Sequence, residues 1–275
     1  MKAVCPVCFR RCALEEGETG ACRARENRSG SVVPSGYGLL TALALDPIEK
    51  KPLRRFFPGS MVLSCGGFGC NLRCPFCQNY EISQKGKDGT ETTAVSPEEL
   101  VARALALKSR GNIGIAYTYN EPLVCWEYVR DCAALVRKNG MKNILVSNAS
   151  ASESVFREVL PLLDAANLDL KCFSEAGYRK LGGDLETVKR NIAITANSPC
   201  RLELTALIVP GLSDGEAEME ALSAWVADLS PEIPLHVTRY FPRWKAEGEP
   251  TPRGTVLRMA EIASKHLRYV YPGNL

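Results

Sequence analysis

The sequence predicts an α/β fold, a partial TIM-like (β/α)6 barrel preceded by a small cysteine-rich N-terminal segment. From about Met61 onward, short apolar and β-branched runs alternate with longer segments of helical periodicity. Such alternation indicates parallel strands joined by right-handed crossovers. Six or seven of these units share about 215 residues, which fits a partial barrel better than a closed eight-fold one. An open, doubly wound sheet is the alternative.

The helices between the candidate strands carry recognisable start signals. Ser96-Pro97-Glu98-Glu99 combines an N-cap, a proline at the first helical position and a capping-box glutamate. A serine followed three residues later by glutamate recurs at residues 150–153 and 213–216. We predict strands at residues 61–64, 113–118, 143–147, 167–171, 201–209, 235–240 and 268–271. Because ligands of such folds bind at the carboxyl ends of the strands, motifs at those ends are the candidates for function.

The chain divides into three parts by composition. Residues 1–35 are a cysteine-rich, metal-binding segment that is too short for an apolar core of its own. Residues 36–59 are a connector that contains the proline-bounded polar stretch Asp46-Pro47-Ile48-Glu49-Lys50-Lys51-Pro52-Leu53. Residues 60–275 form the predicted barrel.

Charge and hydrophobicity exclude several classes of protein. The 34 basic and 31 acidic residues give a formal net charge of +3, too balanced to predict binding to nucleic acid. Residues 1–20 carry Cys, Arg and Glu where an export signal needs an apolar run, and no later stretch is apolar over the length of a membrane span. We therefore expect a cytoplasmic protein that binds neither nucleic acid nor membranes.

Twelve cysteines are unusual for a chain without an export signal, and their clustering favours metal ligands over disulfides. The N-terminal quartet has the spacing C-x2-C-x3-C-x9-C: Cys5, Cys8, Cys12 and Cys22. Four thiolates make either a closed zinc site or a fully ligated auxiliary iron–sulfur cluster, and the spacing does not decide between them. Free buried thiols are the alternative to a metal site. Four scattered cysteines are expected to be core residues: Cys125, Cys132, Cys172 and Cys200.

A second group of cysteines follows the first barrel strand: Cys65, Cys70, Cys74 and Cys77. The last three have the spacing C-x3-C-x2-C, so they can ligate three irons of a [4Fe–4S] cluster and leave the fourth iron open to a substrate. Gly66, Gly67 and Gly69 allow the backbone to fold tightly here, and the ring of Phe76 can lie beside an adenine. The alternatives are a zinc site that borrows Cys65 and a closed cluster with a fourth cysteine.

At this loop the chain resembles the radical S-adenosylmethionine (SAM) superfamily, and the resemblance runs from Cys5 to Asn274. Within that superfamily it looks like the AmmeMemoRadiSam branch, beside the pyruvate formate-lyase activating enzymes. The segments that carry this likeness, besides the connector, are Cys77-Gln78-Asn79, Ala116-Tyr117-Thr118-Tyr119-Asn120-Glu121-Pro122, Asp169-Leu170-Lys171 and Val270-Tyr271-Pro272-Gly273-Asn274.

The resemblance implies a barrel of the radical SAM type and an oxidoreductase. Such an enzyme cleaves SAM reductively to methionine and a 5′-deoxyadenosyl radical, which abstracts a hydrogen atom. A flavodoxin or ferredoxin is the implied reductant. The implied substrate is a glycine Cα–H of a partner protein, as in activation of glycyl-radical enzymes, or else a different protein or small molecule.

The resemblance also implies which side chains hold SAM. Tyr119-Asn120-Glu121 stands where superfamily members carry Gly-Gly-Glu, so Glu121 is expected to bind the amino group of the methionine moiety, although both glycines are replaced. Lys171 is expected near the SAM carboxylate, on the same face of its strand as Asp169. The remaining implied SAM-binding residues are Phe76, Gln78, Asn120, Asn148 and His236.

Each assignment has a purely structural alternative. Glu121 could begin a helix, Asp169 and Lys171 could form a structural ion pair, and His236 could be a core or surface imidazole. For the whole chain, the alternatives are an iron–sulfur electron-transfer protein that never cleaves SAM and a zinc-binding nucleic-acid module. The first has no need of the Asn-Glu-Pro and Asp-Leu-Lys segments, and the near-neutral charge argues against the second.

Overall fold

The computed structural model describes residues 1–275. The strands are β1 (Ala3–Val4), β2 (Ala13–Leu14), β3 (Arg25–Arg28), β4 (Ser31–Pro34), β5 (Leu39–Leu40), β6 (Ala42–Pro47), β7 (Met61–Gly66), β8 (Thr93–Ala94), β9 (Asn112–Tyr117), β10 (Lys142–Ser147), β11 (Ala165–Asp169), β12 (Arg201–Ile208), β13 (Leu235–Arg239) and β14 (Val270–Gly273). The α-helices are α1 (Tyr80–Ser83), α2 (Pro97–Ala106), α3 (Trp126–Lys138), α4 (Glu153–Val159), α5 (Glu175–Lys180), α6 (Leu185–Ala196), α7 (Glu216–Leu229) and α8 (Arg253–Ala263). Short 3-10 helices span Ile48–Lys50, Lys87–Gly89, Lys108–Arg110, Pro122–Cys125 and Leu160–Leu162.

Eight strands form the main sheet in the order β14-β13-β12-β11-β10-β9-β7-β6. The seven from β7 to β14 in this sheet are parallel, and β6 pairs antiparallel with β7 at the edge. Each of the first six parallel strands is followed by at least one helix, and β14 closes the series. The predicted (β/α)6 architecture is therefore confirmed, with a seventh parallel strand at its end.

The connector segment that leaves β6 crosses the strands toward the opposite edge of the sheet. The carbonyl of Pro52 accepts a hydrogen bond from Asn167 of β11 (2.8 Å), and the backbone N–H of Arg55 donates to Glu203 of β12 (2.7 Å). The Arg55 guanidinium then lies 3.7 Å from the ring centroid of Tyr269, next to β14. These contacts hold the two edges of the sheet toward each other, as a partial barrel requires.

Three smaller pairings cover the N-terminal part of the chain. β1 pairs with β2 and β3 with β4 inside the cysteine-rich segment, while β5 pairs with β8. β6, which lies in the connector, is an integral strand of the main sheet. The division of the chain at residues 35 and 59 stays a prediction.

One of the three predicted capping boxes is present. Ser96 caps α2, and the reciprocal bond from the Ser96 N–H to Glu99 is formed. The predictions at residues 150–153 and 213–216 are wrong in detail, because α4 is preceded by Ser152 and α7 by Gly215. The Ser150 hydroxyl donates to the carbonyl of Asn148, while the Ser213 hydroxyl donates to the carbonyl of Leu207 in β12 and accepts from the N–H of Val209. Neither hydroxyl accepts a hydrogen bond from a helix N–H.

Most of the scattered cysteines pack in the apolar core. Cys132, Cys172 and Cys200 are buried, and Cys125 packs partly buried against the same core. None of the twelve cysteines forms a disulfide. No helix combines the length and the apolar character needed to cross a membrane.

Candidate active site

A cavity of about 630 Å³ lies where the parallel strands end. Its wall includes the three cysteines of the C-x3-C-x2-C loop and every residue that was expected to bind SAM: Cys70, Cys74, Cys77, Phe76, Gln78, Asn120, Glu121, Asn148, Asp169, Lys171 and His236. Cys65 and the N-terminal quartet do not line this cavity. The fold thus brings together residues that are up to 166 positions apart in the sequence (236 − 70).

The loop that carries Cys70 is fixed by its glycines and by Asn120. Gly69 has a φ of +82°, and a Cβ there would lie 2.4 Å from the carbonyl oxygen of Cys22, so only glycine fits. The Asn120 amide donates to the carbonyls of Phe68 (3.0 Å) and Gly69 (3.1 Å), and its oxygen accepts from the N–H of Gly67 (3.1 Å). Asn120 therefore orients the cysteine loop from the neighbouring strand end.

The three cysteines suit an iron–sulfur cluster by their chemistry. Burial raises the pKa of Cys74 to about 11, and burial, with the nearby Glu121 carboxylate, raises the pKa of Cys70 well above its usual range. Thiolates at these positions therefore need a cationic partner. Three thiols facing one cavity, with no fourth cysteine on its wall, fit a cluster that keeps one iron open.

Glu121 is almost completely buried, and its carboxylate joins two strand ends. It accepts hydrogen bonds from the Ser147 hydroxyl (2.8 Å) and the Asn148 N–H (2.8 Å), which follow each other at the end of β10. It also accepts from the N–H of Leu123 (3.1 Å), so it caps the 3-10 helix Pro122–Cys125. Burial raises the pKa of Glu121 to about 7, although these three donors oppose the shift. Glu121 thus begins a helix, the structural alternative to SAM binding, and it also lines the cavity.

Asp169 and Lys171 form an ion pair at the end of β11. The Lys171 ammonium lies 2.8 Å from an oxygen of Asp169, and both side chains are mostly shielded from solvent. Burial lowers the pKa of Lys171, but Asp169 and Cys74 outweigh burial and leave this pKa above its usual value. Lys171 is therefore a permanent positive charge beside the cysteine loop.

The other predicted SAM-binding residues differ in how many contacts their side chains make within the protein. The Asn148 amide donates to the side chain of Asn71 (2.9 Å), and His236 shares a 2.7 Å hydrogen bond with the buried Glu203. Phe76 packs edge-on against Tyr240, with ring centroids 5.8 Å apart. Gln78 is exposed at the cavity wall.

Sequence reasoning assigned no role to a polar group at the edge of the cavity: Asp46, Lys51 and Tyr119. One oxygen of Asp46 accepts from both the Tyr119 hydroxyl (2.6 Å) and the Lys51 ammonium (2.9 Å). The same ammonium lies 4.6 Å from the centroid of the Tyr119 ring. Burial raises the pKa of Asp46, but the Tyr119 hydroxyl and Lys51 outweigh it and leave the pKa below its usual value. The polar character of the connector is the only sign of this group in the sequence. It does not indicate that Asp46 bonds Tyr119, which lies 73 residues further along the chain.

Asp46 and Lys51 contact the side chain of Tyr119, whose backbone has a conformation that glycine normally occupies. Tyr119 has a φ of +72°, and its carbonyl accepts a hydrogen bond from Asn79 just after the cysteine loop (2.7 Å). Left-handed backbone is unfavourable for a residue with a Cβ, by roughly 1–2 kcal/mol. Tyr119 thus occupies a glycine-like backbone conformation while its side chain contacts Asp46 and Lys51 of the connector.

The N-terminal quartet packs against the cysteine loop. The N–H of Cys70 donates to the carbonyl of Cys22 (3.1 Å), and the Arg10 guanidinium donates to the carbonyl of Asn71 (2.7 Å). Neither here nor elsewhere in the chain do three His, Cys, Asp or Glu side chains converge as closely as a single metal ion requires. The metal of the quartet stays a prediction.

Comparison with known proteins identifies the class. The family model of the radical SAM superfamily matches residues 66–222. The chain belongs to this superfamily. Over its whole length it is also 37% identical to an uncharacterised protein of Methanocaldococcus jannaschii, 82% of which is covered.

More distant relatives include activating enzymes and other radical SAM proteins. The pyruvate formate-lyase-activating enzyme of Clostridium pasteurianum is 26% identical over 165 residues, which are 56% of this chain and 65% of that enzyme. Among solved structures, Streptococcus suis SuiB bound to S-adenosylmethionine has a TM-score of 0.60 at 12% identity, covering 77% of this chain and 51% of SuiB. A radical SAM methyltransferase from Sphaerobacter thermophilus has a TM-score of 0.59 at 15% identity, covering 79% and 67%. These likenesses support the radical SAM type of barrel.

Proposed function

We propose that this enzyme cleaves SAM reductively at a [4Fe–4S] cluster held by Cys70, Cys74 and Cys77. The cluster and SAM together would supply the chemistry. Its products would be methionine and a 5′-deoxyadenosyl radical, which abstracts a hydrogen atom from the substrate. The observation that carries the proposal is the convergence of these three thiols with Glu121 and Lys171 on one cavity wall.

The protein side chains bind and orient SAM in this proposal. Lys171, a permanent cation, attracts the carboxylate of the methionine moiety, and Asp169 keeps the ammonium in position. Glu121 accepts a hydrogen bond from the amino group, while its contacts to Ser147 and Asn148 fix the carboxylate. Phe76, Gln78, Asn120, Asn148 and His236 contribute the remaining SAM contacts. Because most of these groups are already held by neighbours, little ordering is needed when SAM binds.

We further propose that the radical abstracts a hydrogen atom from a substrate, and that a partner protein is the first candidate for this substrate. The distant relation to pyruvate formate-lyase-activating enzymes supports a glycine Cα–H of a glycyl-radical enzyme. SuiB, which shares the fold, has been crystallised with its precursor peptide. A different protein or a small molecule is the second candidate, and a cytoplasmic flavodoxin or ferredoxin is the proposed reductant.

The cluster and its open iron can be tested by electron paramagnetic resonance. Anaerobically reconstituted protein reduced with dithionite is expected to give a [4Fe–4S]+ signal that changes when SAM is added, because SAM binds iron directly. S-adenosylhomocysteine, added in the same way, serves as a comparison for the specificity of that change. A reduced signal that is indifferent to SAM would instead support an electron-transfer protein.

For the N-terminal quartet we propose a closed metal site that stabilises the first 35 residues. Four thiolates leave no open position for chemistry, and the segment buries little apolar surface by itself. Metal analysis of the variant Cys70→Ala/Cys74→Ala/Cys77→Ala isolates this site. About one equivalent of zinc would identify structural zinc, which we expect, whereas about four each of iron and sulfide would identify an auxiliary cluster. A protein with neither metal after anaerobic purification would contradict the closed site.

A further inference from the structure

Three arginines flank the outer side of the cysteine loop: Arg10, Arg23 and Arg73. Arg73 directly precedes Cys74 and is exposed, and its backbone N–H donates to the carbonyl of Leu181 (2.8 Å). The Arg10 guanidinium reaches the carbonyl of Gly182, the next residue, so Arg10 and Arg73 meet at the same turn. Arg23 follows Cys22, whose carbonyl binds the N–H of Cys70. The three side chains thus surround the segment that carries the cluster ligands.

No carboxylate neutralises these arginines. None of the three forms an ion pair, and the hydrogen bonds of the Arg10 and Arg23 guanidiniums go to backbone carbonyls. Two more exposed cations, Arg179 and Lys180, end the helix next to Gly182. In a chain with a net charge of only +3, this is a local concentration of positive charge.

The surface lies over the cysteine loop without obstructing the cavity. None of Arg10, Arg23 and Arg73 lines the cavity. Arg73 and Pro75 are exposed on either side of Cys74, so a partner on this surface comes within one residue of a cluster ligand. The cavity remains free for SAM and substrate while the partner is bound.

We propose that this basic surface is the docking site of an acidic one-electron carrier protein of the flavodoxin or ferredoxin type. The inference rests on the proposed function and adds the place where the electron enters. The reduced flavin or iron–sulfur centre of the carrier gives one electron to the cluster, so the carrier is oxidised and the cluster is reduced by one electron. Transient redox complexes bury little surface, and complementary charge sets their association rate and partner choice.

The test compares a carrier with a chemical reductant that needs no docking site. The variant Arg73→Glu reverses the charge of an exposed side chain. Its matched control is Arg201→Glu, an exposed and unpaired arginine at the amino end of β12, the opposite end of the sheet from the cavity. The rate of 5′-deoxyadenosine formation is measured with flavodoxin kept reduced by its reductase, and separately with dithionite.

We expect Arg73→Glu to lower the flavodoxin-driven rate about tenfold at low ionic strength, because steering by charge changes association rates by this order or more. The defect should shrink toward the wild-type rate at about 0.5 M salt, where surface charges are screened. The dithionite-driven rate of both variants and the flavodoxin-driven rate of Arg201→Glu should equal those of the wild type. Fluorescence titration of oxidised flavodoxin should show the same loss of affinity in Arg73→Glu.

Equal flavodoxin-driven rates in wild type and Arg73→Glu, with equal binding, would overturn the docking site and leave the proposed function intact. The docking site would also be overturned if Arg73→Glu lost binding to a DNA or RNA oligonucleotide but was still reduced by flavodoxin at the wild-type rate. Absence of 5′-deoxyadenosine with dithionite in the wild type would instead contradict the proposed function itself. Arg23→Gln provides a second variant, should Arg73→Glu fail to fold.

Discussion

Replacement of Cys70, Cys74 or Cys77 by alanine is expected to abolish 5′-deoxyadenosine formation with dithionite as the reductant. Each change removes one of three thiolates, and two ligands do not hold a [4Fe–4S] cluster in the open form that SAM needs. We expect the rate to fall to background and the iron bound at this loop to be lost. Chromatographic assay of 5′-deoxyadenosine and iron analysis measure the two effects.

Cys200→Ala is the matched control for these variants. Cys200 is buried, as Cys74 is, but it lies at the amino end of β12, away from the cavity. Its replacement should leave the 5′-deoxyadenosine rate unchanged. Full activity in any one of the three loop variants would show that the ligand assignment is wrong at that position, and would direct attention to Cys65 as a substitute.

Replacement of Glu121 by glutamine or Lys171 by methionine is expected to weaken SAM binding without loss of the cluster. Each change removes a charged hydrogen bond worth roughly 1.5–3 kcal/mol, so the affinity for SAM should fall by about ten- to a hundredfold. Equilibrium dialysis with reconstituted protein measures the affinity, and iron analysis checks the cluster. Asp169→Asn/Lys171→Met, which leaves no unpaired charge, controls for destabilisation by the lone Asp169 carboxylate.

The pKa of Glu121 adds a pH dependence to this prediction. The folded-state pKa is about 7 because of burial, so the carboxylate gains its negative charge as the pH rises through neutrality. SAM affinity of the wild type should therefore rise between about pH 6 and 8, and Glu121→Gln should lose that rise. Unchanged affinity accompanied by loss of folding would mean that Glu121 only caps its helix and that Asp169 and Lys171 are only an ion pair.

The fold could be predicted because its signals are local. Apolar runs of strand length, capping serines and the charge balance need no knowledge of tertiary contacts, and the strands at residues 61–66, 201–208 and 235–239 lie close to their predicted positions. Ser150 and Ser213 show the limit of such signals. Their spacing to glutamate fits a capping box, but the two hydroxyls bond the carbonyls of Asn148 and of Leu207 in β12, and the helices begin without them.

The site could be predicted in outline for a related reason. Parallel strands end at one edge of the sheet, so Glu121, Asn148 and Lys171 had to approach each other once the strands were assigned. What each side chain bonds to could not be predicted, because partners such as Ser147 for Glu121 or Glu203 for His236 are chosen by tertiary packing. Asp46 was missed for the same reason, since its partner comes from another strand.

The contact of Asp46 and Lys51 with Tyr119 has a consequence for how relatives of this protein can diverge. Tyrosine at a φ of +72° is strained by roughly 1–2 kcal/mol, and a hydrogen bond to a charged group contributes about as much in the opposite direction. Loss of Asp46 alone leaves the strain uncompensated, whereas a glycine at position 119 makes the aspartate dispensable. Related proteins are therefore expected to have both an aspartate at position 46 and a tyrosine at position 119, or neither of them. The change from one state to the other is easiest when position 119 becomes glycine before the aspartate is lost.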